Sequence, residues 1–280
     1  MTIDKWFEQF LQEKRYLENV SQHTIAFYKQ SFKAFNLQEP LTQSQLNGRV
    51  IQLLEKGMST NGCDAYIRGI NSFLSWLNEN ELVKNLRVKR LKIRKRVFKT
   101  LTDQQLKAFL SFKPRTFFDH RLYTLLCLAL DTGCRINELL NVKRSDVDFD
   151  NLFITVKGKG NKERIVPISV ECRKTLFQFL KKHNLVYVFS SRHGSKLSYD
   201  NMRRDFNKLM TSLGIETDGA FHSLRRTFAT NFAREGGSLF ALQSILGHSS
   251  IQTTQKYVGL NIQDLALAHR KTSLLGRLRV

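Results

Sequence analysis

The sequence predicts a mainly α-helical protein with a small antiparallel β-sheet, built as an N-terminal helical bundle followed by a second, mostly helical domain. Three observations predict it. Apolar residues in the first 83 positions recur at helical spacing in four separate runs. Two β-type runs, "LFITV" and "RIVPI", flank the glycine-bearing turn "KGKGNKE" and read as a hairpin. Between the two parts lies "KNLRVKRLKIRKRVFK", residues 84–99, with nine basic residues in sixteen and no clear helical period. The expected division is a bundle at 1–83, a basic linker at 84–99 and a second domain at 100–280.

The elements follow in order. Trp6, Phe7, Phe10, Leu11, Tyr16 and Leu17 form the stripe of a first helix. Ser21 is placed to cap a second, which carries Ile25, Phe27, Tyr28, Phe32 and Phe35. "TQSQLNGRVIQLLEKG" gives a third helix, stopped by Gly57, and "CDAYIRGINSFLSWLNEN" a fourth. The second domain opens at a capping box of Thr102 with Gln105. Helices are expected at about 103–112 and 116–131, the latter ending at Gly133, and "RINELLNV" restarts one. After the hairpin come a helix near 169–183, a short strand "YVFS" and helices from about 198 to 270.

Charge narrows the function. The net charge is +21, which folding does not require and self-repulsion opposes. Residues 1–83 hold 8 Lys and Arg against 9 Asp and Glu; residues 84–280 hold 37 against 15. Such an excess points to a polyanionic partner, because lysine and arginine on phosphates release counterions. The four cysteines are scattered without a CxxC pair, so neither a zinc site nor a disulfide framework is indicated and reduced thiols are expected. "MTIDKWFEQF" is polar and amphipathic, unlike a secretory signal. The longest apolar run, "LYTLLCLAL" at 122–130, is too short to span a bilayer and reads as a buried core helix. A cytoplasmic, nucleoid-associated protein with no membrane partner is expected.

Several side chains could grip a phosphate. Arginine offers a permanently charged fork that matches phosphate oxygens in pairs. Arg135 follows "DTGC", where one helix breaks and the next begins. In "HSLRR", His222 and Arg225 stand one helical turn apart; Arg226 could also face that way, and spacing alone does not choose. Lys159 sits at the hairpin tip, with Lys157 and Lys162 as competitors. His248 follows Gly247, and Tyr257, one of seven tyrosines, comes nine residues later. A tyrosine hydroxyl, with a pKa near ~10, becomes a useful nucleophile when cations surround the phosphate it attacks.

Singly, each of these is compatible with a structural role. The ordered set resembles the tyrosine recombinases, the phage-integrase family. "TGCRINELL" is similar to that family's first-arginine box, "GKGNKERIVPI" to its lysine hairpin and "FHSLRRTFAT" to its HxxR box. "LGHSSIQTTQKYV" is similar to its histidine and nucleophile boxes. The likeness covers about residues 100–260, and the first 83 residues are similar in pattern to the family's SAM-like core-binding domain. It implies Arg225 over Arg226, Lys159 over its neighbours and Tyr257 over the other tyrosines. The chain opens directly on the bundle, without an arm-binding domain, and so looks closest to compact Xer-type or transposon-encoded members.

The resemblance implies a site-specific recombinase or integrase that closes a C-shaped clamp on double-stranded DNA and needs neither metal nor cofactor. Tyr257 would attack a backbone phosphorus and form a 3′-phosphotyrosyl link. Arg135 and Arg225 would hold the non-bridging oxygens, and Lys159 would protonate the leaving 5′-oxygen. His222 would position the tyrosine or take its proton, and His248 would donate a hydrogen bond to the phosphate. Dimers and then tetramers would assemble on DNA, with the tail at 261–280 docking on a neighbour; docking on its own domain is the alternative. Expected DNA contacts are Arg87, Lys89, Arg90, Arg94, Lys95 and Arg96 in the linker, and Lys162 and Arg164 in the hairpin. A type IB-like topoisomerase and a non-catalytic DNA-binding regulator are the alternatives. A metal-dependent nuclease fits poorly, since the candidate residues are cations rather than acidic ligands.

The linker reading is testable. Replacing Arg94, Lys95 and Arg96 by Ala weakens binding to all DNA sequences alike, and each lost phosphate contact lowers the log–log salt slope by about 0.9. Binding isotherms over a salt series measure it; an unchanged slope means that the run touches no phosphate.

Overall fold

The computed structural model of the protein describes residues 2–93, 99–158 and 162–255. It divides into two compact units, Met1–Arg96 and Val97–Val280.

In the first unit the four expected helices form: α1 (Ile3–Tyr16), α2 (Gln22–Phe35), α3 (Gln43–Glu55) and α4 (Thr60–Glu79). Three begin where a hydroxyl satisfies an otherwise orphaned helical N–H. Ser21 accepts from the Thr24 amide, Thr42 from Gln45 in a reciprocal capping box, and Ser59 from Gly62. Helix α4 is central and packs against the other three. Its buried Ile67, Ile70, Phe73, Leu74 and Leu77 recur at the spacing of one helical face. Around them the rings of Phe7 and Phe32 stack at 3.9 Å, Phe73 meets both edge-on, and Trp76 Nε1 donates to Glu13 Oε2 at 2.6 Å.

The expected boundary at residue 83 falls too early. Asn71 grips Val88 from both sides, donating to its carbonyl at 2.8 Å and accepting from its amide at 2.9 Å. Asn78 does the same to Leu86, at 3.0 and 3.3 Å. Arg90 forks onto buried Asp64 at 2.7 and 2.6 Å, and the Leu91 amide joins that carboxylate at 3.2 Å. Arg90 lowers the Asp64 pKa against the effect of burial. The start of the basic run is therefore an extended strap fastened along α4, with Val88 buried and Arg87 and Lys89 exposed. Arg94, Lys95 and Arg96 lie outside the described residues.

The second unit opens with α5 (Asp103–Leu110), capped by the Thr102–Gln105 box, and α6 (Phe117–Thr132), capped by Thr116 with Asp119. "LYTLLCLAL" lies inside α6, and its Leu122, Leu125, Leu126, Leu128 and Ala129 are buried. After Gly133 come a single turn, α7 (Ile136–Leu139), and a 3-10 turn at Arg144–Asp146. The sheet has three antiparallel strands in the order β1 (Val147–Asp148), β2 (Phe153–Lys157), β3 (Glu163–Pro167), with Ile154 paired to Val166 and Val156 to Arg164. The hairpin was expected; β1 was not. Then follow α8 (Val170–Leu180), α9 (Tyr199–Ser212), α10 (Phe221–Arg234), α11 (Leu239–Leu246) and α12 (Ile251–Gln255). Helix α6 packs on both α8 and α10. No helix among the described residues is long and apolar enough to cross a membrane.

"YVFS" does not form a named strand. Tyr187 and Ser190 make only isolated bridges, to Lys143 and Lys196. Val188 and Phe189 are fully buried in the core, and the segment is tied to the neighbouring stretch by the Val188 amide on the Val142 carbonyl and the Arg144 amide on the Val186 carbonyl, both at 2.9 Å. Residues 256–270 of the expected C-terminal helical run, and the tail at 261–280, lie outside the described residues.

Gly133 closes α6 at φ +61°, and a Cβ there would stand 2.3 Å from Phe228 and 2.9 Å from Leu246. Gly133→Ala therefore destabilises the second unit by about 2–4 kcal/mol through left-handed strain and overpacking. Gly48, in α3 with nothing within 4 Å of an added Cβ, is the control. Gly48→Ala stabilises the first unit by about 0.5–1 kcal/mol. Urea unfolding of both variants checks the contrast.

Candidate active site

The site grows from places where helices end. Gly133 terminates α6, and Arg135 caps the next helix, with Glu138 as its third residue. The Arg135 amide donates to Glu138 Oε2 at 2.8 Å and its Nη1 to Oε1 at 3.0 Å. From β3, Arg164 forks onto the same carboxylate at 3.0 and 2.8 Å, while its Nε donates to the Ile245 carbonyl at 2.7 Å. From α10, Arg225 donates to the Gly133 carbonyl at 2.7 Å and the Leu246 carbonyl at 2.9 Å. Arg135 Nη1 reaches that Leu246 carbonyl at 3.5 Å. Carbonyls at the C-terminal ends of α6 and α11 lack helical partners and carry the negative end of the helix dipole, so guanidinium donors settle there.

His248 follows Gly247 at the end of α11. Its Nε2 lies 2.8 Å from Arg225 Nη2 and its Nδ1 2.9 Å from Thr254 Oγ1. Gln243 fixes the backbone, accepting the His248 amide on its carbonyl and donating its Nε2 to the His248 carbonyl. Burial, then the cations Arg225, Arg135 and Arg164, draw the His248 pKa down to about 4 against the opposing effect of Glu138. His222, one turn before Arg225 on α10, lines an open pocket of about 410 Å³ with Arg135, Lys157, Gly158 and Tyr199. Desolvation and then Arg226, Arg225 and Arg135 lower its pKa as well. Both imidazoles are neutral at pH 7.

Four of the six candidate catalytic residues, Arg135, His222, Arg225 and His248, thus meet in one place. Lys159 and Tyr257 lie outside the described residues. Spacing left Arg225 and Arg226 equal, and packing separates them. Arg225 turns inward and is 5% exposed, whereas Arg226 folds back along α10 onto the His222 and Asp218 carbonyls. Lys157 pairs with Glu163 at 2.6 Å across the turn end of the hairpin ladder.

Two of the expected DNA contacts have partners within the protein. The Arg164 side chain is 15% exposed and spends its fork on Glu138 and its Nε on Ile245, so it is part of the scaffold. Arg90 is exposed, but its fork is committed to Asp64. Lys162 is exposed. Two residues of the site were not foreseen: Glu138 and Thr254. A carboxylate three positions after a helix start was the signal available for Glu138; nothing in the sequence marked Thr254. Among the described residues no group of three or more His, Cys, Asp or Glu is arranged to hold a metal ion.

Known proteins share this arrangement of chain. The phage integrase family profile matches residues 99–264. Tyrosine recombinase XerD of Halalkalibacterium halodurans is 29% identical, over 91% of this chain and 93% of that protein. Tyrosine recombinase XerA of Pyrococcus furiosus is 30% identical, over 94% and 92%. Among solved structures, the Tn1549 transposon integrase in complex with circular intermediate DNA superposes with a TM-score of 0.79 at 21% identity, covering 97% of this chain and 99% of that one.

Removing Glu138 strands Arg135 and Arg164. Glu138→Ala destabilises the second unit by about 3–5 kcal/mol, and Glu138→Gln by less. The pH dependence separates two groups. Burial raises the Glu138 pKa, but the hydrogen bonds and charge of Arg164 and Arg135 outweigh it and hold the carboxyl below its ordinary value. Its stabilisation is complete above the unfolded pKa of ~4.3 and is lost as pH falls through the lower folded value. His248 is depressed too, so the unfolded chain takes up its proton first, and stability falls between pH ~6.5 and ~4. In urea unfolding across a pH series, His248→Gln reduces the slope of the upper window, which the lowered His120, His183 and His222 share, and Glu138→Gln reduces that of the lower one, shared with Asp64, Asp119 and Asp148.

Proposed function

The chain belongs to the phage integrase family, and we propose on that premise how its residues divide the work of a tyrosine site-specific recombinase acting on double-stranded DNA. The Tyr257 oxygen attacks a backbone phosphorus. The bond to the 5′-oxygen breaks, and a 3′-phosphotyrosyl link forms. Arg135 and Arg225 hold the non-bridging oxygens and stabilise the added charge of the transition state. Lys159 delivers a proton to the leaving oxygen, His222 positions or deprotonates the tyrosine, and His248 donates to the phosphate. Attack by a 5′-hydroxyl of another strand then expels the tyrosine and reseals the DNA. The covalent link conserves the phosphodiester energy, so the cycle calls for no ATP and no metal.

One observation carries this reading: Arg135 and Arg225 share the Leu246 carbonyl, with His248 bonded to Arg225 and His222 beside Arg135 in the pocket. Two fixed guanidinium groups and two neutral imidazoles in one cluster, with Arg135 and His222 opening onto the pocket, suit a phosphate that gains negative charge as it reacts. The bundle and its strap act as the core-binding part, with Arg87 and Lys89 on phosphates. The chain assembles as dimers and tetramers on DNA. An apolar groove of about 670 Å³ in the second unit, lined by Leu106, Leu110, Tyr123, Phe228 and Phe232, supports assembly by offering a receiver for a neighbour's tail.

Tyr257→Phe tests the chemistry, since it removes the attacking oxygen alone. Wild-type protein forms a denaturation-resistant adduct with genomic DNA fragments, whose sequencing identifies the site. The variant binds the recovered site as tightly and forms no adduct. An adduct that persists in the variant assigns the nucleophile elsewhere.

A further inference from the structure

Among the described residues His248 has a partner at each ring nitrogen, and these differ in what they can do. A guanidinium has donors and no acceptor, so the 2.8 Å contact with Arg225 makes Nε2 the acceptor. A neutral imidazole has one N–H, which must then sit on Nδ1 and point at Thr254 Oγ1, 2.9 Å away. The pKa near 4 agrees with a neutral ring. The cations facing that ring are Arg225 from α10, Arg135 from the start of α7 and Arg164 from β3, with Glu138 of α7 as the opposing charge. In this state Nε2 cannot donate. The role given to His248 above requires the opposite tautomer, with Nε2–H aimed at a phosphate oxygen.

Thr254 supplies what the change needs. A hydroxyl both accepts and donates, whereas a carbonyl or a guanidinium does one or the other. Thr254 is 0% exposed on α12, and its β-branched side chain is stiff, so the hydroxyl is held against the ring. We propose that Thr254 is a positioning residue whose hydroxyl accepts from His248 Nδ1–H in the DNA-free protein and donates to Nδ1 once a phosphate engages Arg225, selecting the Nε2–H tautomer that the reaction uses. The proposal rests on the recombinase reading. Protons balance: one leaves Nδ1 to solvent, one arrives at Nε2 from solvent, the hydroxyl hydrogen turns toward the ring, and the ring stays neutral. No substrate bond is made or broken in the step. Thr254 precedes Tyr257 by three residues, so the same hydroxyl links the phosphate-contacting histidine to the segment that leads to the nucleophile.

Two measurements on the full chain test it, both using the duplex recovered from the wild-type adduct. The first is the 15N spectrum of the His248 ring in Tyr257→Phe protein, assigned by difference with His248→Gln. The ring is Nδ1–H in the free protein and Nε2–H with the duplex bound; in Tyr257→Phe/Thr254→Val with duplex it stays Nδ1–H. A parent ring that never switches, or a Thr254→Val ring that switches equally, overturns the proposal. The second is the rate of adduct formation. Thr254→Val keeps duplex affinity and slows cleavage at least about tenfold, while Thr254→Ser stays within about threefold of wild type. Wild-type rates for Thr254→Val, or equal impairment in Thr254→Ser, overturn it. Failure of the recombinase reading looks different: wild-type protein with Thr254 intact then forms no adduct.

Discussion

Glu138, 5% exposed, stands between two arginines and takes three guanidinium hydrogen bonds together with the Arg135 amide. Without it the guanidinium groups of Arg135 and Arg164 would lose the charge between them and repel each other. The carboxylate is itself stable only because those arginines answer it, since burial pushes its pKa the other way. The pair ties β3 to the turn after α6, and with Arg164 on the Ile245 carbonyl it also secures the end of α11. Three separate stretches of chain are thereby locked around Arg135 and Arg164.

Helix ends supply the remaining compensation. Helices α6 and α11 finish at the site, and their last carbonyls need donors. Arg225 and Arg135 provide them in the DNA-free protein. The arginines are therefore oriented by the fold itself, which is the preorganisation that the proposed electrostatic role calls for. Arg225 is nearly enclosed, while the Arg135 side chain is 44% exposed and opens onto the pocket with His222. Burial, and then the nearby arginines, keep both histidines neutral, so hydrogen-bond direction rather than net charge sets what each can do.

The basic run after the bundle divides its charge between structure and surface. Arg90 answers buried Asp64, and Val88 and Leu86 are clasped by asparagines on α4. Arg87 and Lys89 alternate with these anchors and face solvent. An extended strap with period two presents cations on one side because its other side is occupied by packing. This explains why the segment lacks a helical period while carrying apolar residues throughout.

Much of this was legible in the sequence because it is local. Ser21, Thr42 and Thr102 cap helices through contacts three residues away, α6 stops at a glycine, and two alternating runs around a glycine-bearing turn make the hairpin. The order of arginine, hairpin lysine, HxxR and Gly-His before a tyrosine carried the family. What tertiary structure decided were the contacts between residues distant along the chain. Arg225 is distinguished from Arg226 by carbonyls 92 and 21 residues away, and Arg164 is drawn into the scaffold by Glu138, 26 residues before it. "YVFS" looks like a strand by composition but has only single-residue bridges beside it. The end of the bundle moved past residue 83 because Asn71 and Asn78 reach forward to Val88 and Leu86. Periodicity and caps record what a residue does with its next turn; the partner of a buried charge is chosen by packing, and no short window of sequence contains both.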